Sequence, residues 1–127
     1  MTDRYGLAVI GSGPAGQRAA IQAANHGWRG CVIFGRAHFN ELARGQIPGE
    51  LHGLLKLLVS TADRTLLGVH IVGKGAAELI HVRQTVMIYG ATVDDLVDQV
   101  LNYPTLAEAY KAAALGVSNR LQTIAKA

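Results

Sequence analysis

The stretch Leu7-Ala8-Val9-Ile10, followed by Gly11-Ser12-Gly13-Pro14-Ala15-Gly16, decides the predicted fold of this 127-residue chain. Its first four residues are continuously apolar, which is typical of a short buried strand that ends at a glycine-rich turn. From residue 14 to residue 26, small residues recur at steps of three and four, which predicts a helix packed closely on a sheet. The sequence therefore predicts a strand that turns directly into a helix.

Each glycine of this turn has a physical role. Gly11 permits the sharp turn, Gly13 leaves room where the backbone meets a pyrophosphate, and Gly16 lets the helix press on the strand. The helix N-terminus adds free N–H groups and a partial positive charge that attract an anion. We therefore predict a phosphate-binding turn, and the alternative is a tight turn with a structural role only. The predicted cofactor-binding residues are Gly11, Ser12, Gly13, Pro14, Ala15 and Gly16.

A second apolar run, at residues 31–34, predicts a strand parallel to the first, which completes a βαβ unit with a right-handed crossover. A dinucleotide site normally has an acidic residue about 20 positions after the turn, at the end of that strand, to hold the ribose hydroxyls. The expected place is occupied by Ile33-Phe34-Gly35-Arg36, none of which is acidic. Arg36 has two interpretations, a partner for a phosphate on the ribose or a solvated arginine of a linker, and we favour the second.

The remainder of the chain predicts a second domain. Residues 35–53 are rich in glycine and charge and predict a connection or an irregular strand, with a domain junction near Arg36. Residues 54–60 and 66–72 flank a polar turn and predict an antiparallel hairpin, and residues 76–89 predict a helix. Thr92 and Thr105, each followed by an acid three positions later, predict two more helix starts, and residues 122–127 are expected to fray. The predicted class is α/β, with a truncated Rossmann-type βαβ segment at residues 1–36 and an α+β domain at residues 37–127.

Composition excludes several functional classes. Half of the residues are hydrophobic and the net charge is only +3, with basic residues scattered along the sequence, so we expect a globular protein that does not bind nucleic acid. The single cysteine allows no internal disulfide, which favours the cytoplasm. Neither an export signal nor a membrane span is predicted, because the longest apolar runs are short.

No residue pattern predicts a metal site or a catalytic group. The five histidines, at positions 26, 38, 52, 70 and 81, lack the spacing of paired metal ligands. His70 is expected on a sheet face and His81 on an exposed helix face. Cys31 is interpreted as a small buried hydrophobe, and the alternative is a nucleophile. The acidic residues Asp94, Asp95 and Asp98 are interpreted as favourable charges at a helix beginning, and the alternative is a catalytic carboxylate pair.

Two parts of the chain resemble a known family. Residues 5–34, and above all residues 9–16, resemble the N-terminal FAD-binding strand–helix–strand of FAD-dependent pyridine nucleotide–disulfide oxidoreductases, especially the soluble pyridine nucleotide transhydrogenases. From Phe39 onward the chain resembles the C-terminal dimerisation domain of the same family. The matching motifs are Glu41-Leu42-Ala43-Arg44-Gly45-Gln46-Ile47, Leu67-Gly68-Val69-His70, Glu78-Leu79-Ile80-His81 and Asn102-Tyr103-Pro104-Thr105.

The resemblance implies FAD and NAD(P) as cofactors, hydride transfer as the activity and a homodimer as the assembly. Relatives carry the rest of the FAD domain and a second Rossmann domain between the two matching pieces, and neither is present between those pieces here. Disulfide-reducing relatives use a histidine where this chain has Tyr103, and tyrosine, with an ordinary pKa of about 10, is a poor proton shuttle at neutral pH. Glu108 is therefore interpreted as a helix cap, with a catalytic partner as the alternative.

Three functional hypotheses follow. The first is a homodimerising module without independent catalysis, which could also associate with a longer relative. The second is a minimal FAD- and NAD(P)-dependent oxidoreductase with transhydrogenase activity. The third is a weak binder of a dinucleotide phosphate, such as ADP, through Gly11 to Gly16.

Overall fold

The computed structural model describes residues 32–126, which lie in the second of two compact units that divide between Gly30 and Cys31. The three strands of this part form one antiparallel sheet in the order β1-β2-β3. Together with the helices they make a mixed α/β fold, and the predicted hairpin and the helix that follows it are confirmed. The elements are β1 (Val32–His38), a 3-10 turn (Phe39–Glu41), α1 (Ala43–Gln46), β2 (Gly53–Ser60), β3 (Leu66–Gly73), α2 (Ala76–Ile88), α3 (Val93–Asp98) and α4 (Glu108–Ala125).

Strand β1 differs from its prediction. The sequence predicted a short strand that ends at Phe34, but β1 continues to His38 and pairs antiparallel with β2 along its whole length. The predicted domain junction near Arg36 therefore falls inside a strand of the sheet. Residues 35–53, where a connection or an irregular strand was predicted, also contain helix α1. The predicted first strand, the glycine turn and the helix after it lie outside the described residues.

The inner face of the sheet is covered by helix α4. Ala37, Leu55 and Leu57 point from β1 and β2 into the core and are fully buried. They meet one stripe of α4, because residues three and four apart share one face of a helix. The buried residues of this stripe are Ala109, Tyr110, Ala113, Ala114 and Val117. Burial of this apolar stripe holds the C-terminal helix on the sheet.

The close packing of α4 on β1 explains why the strand contains Gly35. A Cβ atom at this position would collide with the Ala113 carbonyl oxygen and would lie 2.8 Å from Val117 Cγ2. The absence of a side chain lets the backbones of β1 and α4 approach closely. A residue that looks like a strand breaker in the sequence is therefore a packing requirement of the fold.

The other helix termini partly follow the predictions. Thr92 and Asp95 form the predicted capping box of α3, and hydrogen bonds from Thr92 lower the pKa of the Asp95 carboxyl. Asp98 is the last residue of this short helix, not part of its beginning as predicted. Helix α4 begins at Glu108 instead of directly after Thr105, and it continues to Ala125 through residues that were expected to fray.

The turn between β2 and β3 is tied to α3. Arg64 adopts a left-handed backbone conformation with a φ of 63°, and its carbonyl oxygen accepts a hydrogen bond of 2.9 Å from the Val93 N–H. The Arg64 side chain forms an ion pair with Asp94 and donates to the Ser118 hydroxyl over 3.4 Å. These contacts join the tip of the hairpin to α3 and α4.

Candidate interaction surface

Helix α2 has more apolar surface than its own chain buries. Eight of its 13 residues are apolar, and they are spread around the helix and not gathered in one stripe. Leu79 is its only buried residue. Ile80, Val82 and Val86 are partly buried against the core. A helix that is apolar on most sides is typical of a helix that is covered on most sides.

The exposed apolar residues of α2 gather at its C-terminal end. Ile88 is 71% exposed, Tyr89 directly after the helix is 82% exposed, and Met87 lies beside them at the surface. Arg83 Nε donates to Met87 Sδ over 2.8 Å and fixes that side chain along the helix. We call Met87, Ile88 and Tyr89 the α2 patch. Met and aromatic residues of this kind are enriched in protein–protein interfaces.

The α2 helix rests on α4 through a buried tyrosine. The Tyr110 hydroxyl donates a hydrogen bond of 2.8 Å to the Leu79 carbonyl oxygen, and its side chain is fully buried. Burial raises the pKa of Tyr110 to about 12, because the ionised form would lose its hydration. Tyr110 therefore fixes the position of α2 as a neutral group.

A second apolar surface lies where the 99–104 segment meets α4. Val100 is 92% exposed and Tyr103 is 73% exposed. Beside them is an open groove of about 350 Å³, with Lys111 donating across its rim to the Gln99 carbonyl oxygen over 3.2 Å. The residues that line the groove are Leu42, Val100, Leu101, Glu108, Lys111, Ala112 and Leu115.

The segment that carries Tyr103 is held by its own polar groups. The Tyr103–Pro104 peptide bond is cis, and the Thr105 hydroxyl donates to the Asn102 carbonyl oxygen over 2.8 Å. The Glu108 carboxylate accepts a hydrogen bond of 3.3 Å from the Thr105 N–H, so Glu108 makes one half of the predicted capping box. The other half is not formed, because α4 begins at Glu108 with Ala107 as its N-cap residue.

The described residues do not fit the ribose of FAD. Phe34 lies in the middle of an antiparallel strand, and its ring is 4.4 Å from the Arg120 guanidinium and 4.8 Å from Lys56 Nζ, measured to the ring centroid. It therefore does not end the second strand of a nucleotide-binding unit, where a ribose would be held. The predicted cofactor-binding residues lie outside the described residues, as does Cys31.

The titratable groups of the described part act as structural or solvated groups. His70 and His81 are exposed on β3 and α2, as predicted. Asp94 is paired with Arg64, and Asp95 caps α3. Between residues 32 and 126, no group of three or more His, Cys, Asp or Glu side chains is arranged to hold a metal ion. The same residues contain no helix long and apolar enough to cross a membrane.

Most of the exposed apolar surface was not predicted from the sequence, where Tyr89, Val100 and the groove were not singled out. One signal was available, because the apolar residues of α2 are spread around the helix. Apolar residues outside a single stripe of a helix indicate a second contact surface.

Comparison with known proteins identifies relatives of the chain. A family model described as pyridine nucleotide-disulphide oxidoreductase, dimerisation domain, matches residues 16–114. A soluble pyridine nucleotide transhydrogenase of Mycobacterium bovis (strain BCG / Pasteur 1173P2) is 57% identical over 90 residues, which cover 71% of this chain and 19% of the relative. One of Hamiltonella defensa subsp. Acyrthosiphon pisum (strain 5AT) is 48% identical over 90 residues, covering 68% of this chain and 19% of the relative.

Solved structures share the fold. The Cu(II) complex of the HOCl-induced flavoprotein disulfide reductase RclA from Escherichia coli matches with a TM-score of 0.64 and 21% sequence identity, covering 75% of this chain and 21% of that one. The chain therefore spans about a fifth of the length of the relatives it matches.

Proposed function

Because the chain belongs to the pyridine nucleotide–disulphide oxidoreductase family and matches its dimerisation domain, we propose that two copies associate through the surface formed by α2. The partner is a second copy of this chain, and the contact is centred on the α2 patch. The observation that carries this proposal is the exposed apolar end of α2, a helix in which Leu79 is buried while Met87, Ile88 and the adjoining Tyr89 are exposed.

The α2 patch has the chemistry of an interface centre. It combines an aliphatic, a thioether and an aromatic side chain, and charged residues are usually depleted from the centre of an interface. Removal of this apolar surface from water stabilises association by roughly 25 cal/mol per Å² before the costs of ordering are subtracted. The charged and polar residues of α2, such as Glu78 and His81, are suited to the rim.

We further propose that the chain acts as a homodimerising module without independent catalysis. One observation supports this: Phe34 lies inside an antiparallel strand with its ring against Lys56 and Arg120, and not at a strand end where a ribose would be held. The segment before β1 is then a truncated FAD-binding segment whose residues 11–16 retain a phosphate-binding turn, and the protein acts in the cytoplasm. Association with a longer relative through the same surface is compatible with this role.

A measurement of molecular mass in solution tests the proposed dimer. We expect the purified full chain to run as a dimer in size-exclusion chromatography with light scattering at micromolar concentration. Ile88→Asp should shift it to a monomer, because burial of an unpaired charge in the interface is costly. Ile124→Asp is a matched control, since Ile124 is also an exposed isoleucine, at 61% against 71% for Ile88, near the end of another helix. A monomeric wild-type chain would contradict the proposed function.

A second candidate function is flavin-dependent hydride transfer between NAD(P) nucleotides. The observation in its favour is the 57% identity with a soluble pyridine nucleotide transhydrogenase. The visible absorption spectrum of the purified protein separates the two functions, because we expect a colourless protein. Stoichiometric FAD together with NADPH-dependent reduction of an NAD analogue would establish the second function instead.

The glycine turn has a separate test. If residues 11–16 still bind a phosphate group, calorimetry with ADP should show weak binding that Gly13→Val abolishes, because the added side chain blocks the approach of the pyrophosphate to the backbone. Undiminished ADP binding by Gly13→Val would show that ADP binds at a site other than residues 11–16.

A further inference from the structure

The outer face of the sheet carries a row of basic side chains. The strand register places Arg36 opposite Lys56 and Lys56 opposite His70, so the three stand side by side across β1, β2 and β3. They lie on the face opposite the buried residues Ala37 and Leu55, because successive side chains of a strand point to opposite faces. Since neighbouring strands are about 4.8 Å apart, this basic row spans about 10 Å.

Two cations of this face are held in place by Phe34. Lys56 Nζ lies 4.8 Å and the Arg120 guanidinium 4.4 Å from the centroid of its ring, within the range of cation–π contacts. Arg120 Nη1 also donates a hydrogen bond of 2.9 Å to the Phe34 carbonyl oxygen. The positions of these charges are therefore set before any partner binds, which lowers the entropy cost of binding.

The basic row has no acidic partner in the described part of the chain. The ion pairs within residues 32–126 are Arg64 with Asp94 and Lys74 with Glu50, and both lie outside the row. Like charges directly opposite each other on a sheet are destabilising, so the pairing of Arg36 with Lys56 costs stability in the isolated chain. A negatively charged partner would remove this cost.

The rows on either side of the basic row are largely apolar. Leu54 pairs with Val72 on one side, and Leu58 pairs with Gly68 on the other. Val72 is exposed and both leucines are partly exposed. The outer face therefore offers the positive charges of Arg36 and Lys56 between two largely apolar borders.

We propose that this outer face docks an acidic segment of a partner protein, whose carboxylates meet Arg36, Lys56 and Arg120. The face is an open sheet, whereas the groove of about 350 Å³ lies beside α4, so the shape suits a polypeptide better than a small anion. Phe34 is engaged by two cations, which leaves it poorly suited to stack on a nucleobase and favours carboxylates over single-stranded nucleic acid. This surface is separate from the α2 patch and does not depend on dimerisation.

Fluorescence anisotropy of a labelled octaglutamate peptide tests the proposal with the full chain. At low ionic strength, about 20 mM NaCl, we expect saturable binding that weakens as salt is added, because screening increases. Lys56→Glu should weaken binding by about tenfold or more, and Arg36→Glu should do the same without removing a cation–π contact. Arg44→Glu, the same charge change at an exposed position of α1, should alter binding by less than about twofold.

Several outcomes would overturn the proposal. These are no binding of the peptide to the wild-type chain, an equal loss in the Arg44→Glu variant, or tighter binding of an oligothymidine of equal charge than of octaglutamate. Circular dichroism shows which of the Lys56→Glu and Arg36→Glu variants is folded. A folded Arg36→Glu protein is sufficient to test whether the outer face binds the peptide. Light scattering of the same samples reports dimerisation independently, so loss of peptide binding in a variant that remains dimeric affects only this inference.

Discussion

Helices α2 and α4 use their apolar residues in opposite ways. Helix α4 gathers them in one stripe and buries five residues against the sheet and the other helices. Helix α2 is apolar on most sides and buries one. Both helices lie in the same compact unit, so the difference in burial does not arise because they belong to different domains.

The two helices differ in how much of their apolar surface the chain covers. The apolar stripe of α4 is buried within its own chain, so substitutions there should change the free energy of unfolding. The surface of α2 is only partly covered, so changes at its exposed end should act on association. Stability and assembly are therefore expected to respond to different substitutions.

The largest effect is expected where α4 touches the sheet. Gly35→Ala forces a Cβ atom against the Ala113 carbonyl oxygen and Val117, and overpacking of this kind costs about 1–3 kcal/mol or more. Gly68→Ala is the matched control on β3, because its Cβ would lie 3.5 Å from Leu58 Cδ1, an ordinary contact. Urea unfolding of both variants measures the difference. Equal stability of the two proteins would show that α4 does not pack closely on β1.

A smaller effect is expected where α4 meets α2. Tyr110→Phe removes the hydroxyl that bonds to the Leu79 carbonyl oxygen and should lower the free energy of unfolding by about 1–2 kcal/mol. Tyr89→Phe, at an exposed tyrosine, should leave it within about 0.5 kcal/mol. If the two variants are equally stable, the hydroxyl of Tyr110 does not hold α2 in place.

The same tyrosine gives the fold an alkaline limit. The pKa of Tyr110 is about 12 in the folded protein, against an ordinary value near 10, so the unfolded chain releases this proton first as the pH rises. The contribution of Tyr110 to stability is complete below pH 10 or so and is lost as the pH rises towards 12. We expect the melting temperature of the wild type to fall more steeply in this interval than that of Tyr110→Phe.

The smallest effect is expected at the starts of the two helices. Glu108 in the first turn of α4 accepts a hydrogen bond from the Thr105 N–H, whereas Gly75, the N-cap residue of α2, provides no side-chain cap. Glu108→Ala should cost about 0.5–1 kcal/mol in urea unfolding. Glu78→Ala, at an acid in the first turn of α2, should cost less, because it loses only the interaction with the helix dipole. A larger loss of stability in Glu78→Ala than in Glu108→Ala would show that the Glu108 hydrogen bond does not stabilise the beginning of α4.

Local signals predicted much of the fold. The hairpin, the helix after it and the capping box at Thr92 follow from turn residues, apolar periodicity and short-range hydrogen bonds, and the structure confirms them. Strand β1 was predicted incorrectly, because Gly35 looks like a break until its contact with Ala113 is known. The start of α4 also differs from its prediction, since the helix begins at Glu108 with Ala107 as its N-cap residue and not directly after Thr105.

The interaction surfaces were less predictable because they depend on tertiary placement. The basic row joins three strands whose register includes an irregularity between Leu58 and Val59, which no local pattern specifies. In the sequence, Arg36, Lys56 and His70 look scattered, and only the sheet places them side by side. The family resemblance was confirmed, while the predicted cofactor-binding residues lie outside the described residues.

The contact between Arg120 and Phe34 also has a consequence for the order of folding, because these residues are 86 positions apart. The hairpin of β2 and β3 can form as soon as both strands are synthesised, but the inner face of the sheet gains its cover only after α4 has left the ribosome. Until then Leu55 and Leu57 are exposed to solvent and to other chains. Contacts of such long sequence separation slow folding and favour transient aggregation, so the nascent chain is expected to be a substrate for chaperones that bind apolar segments.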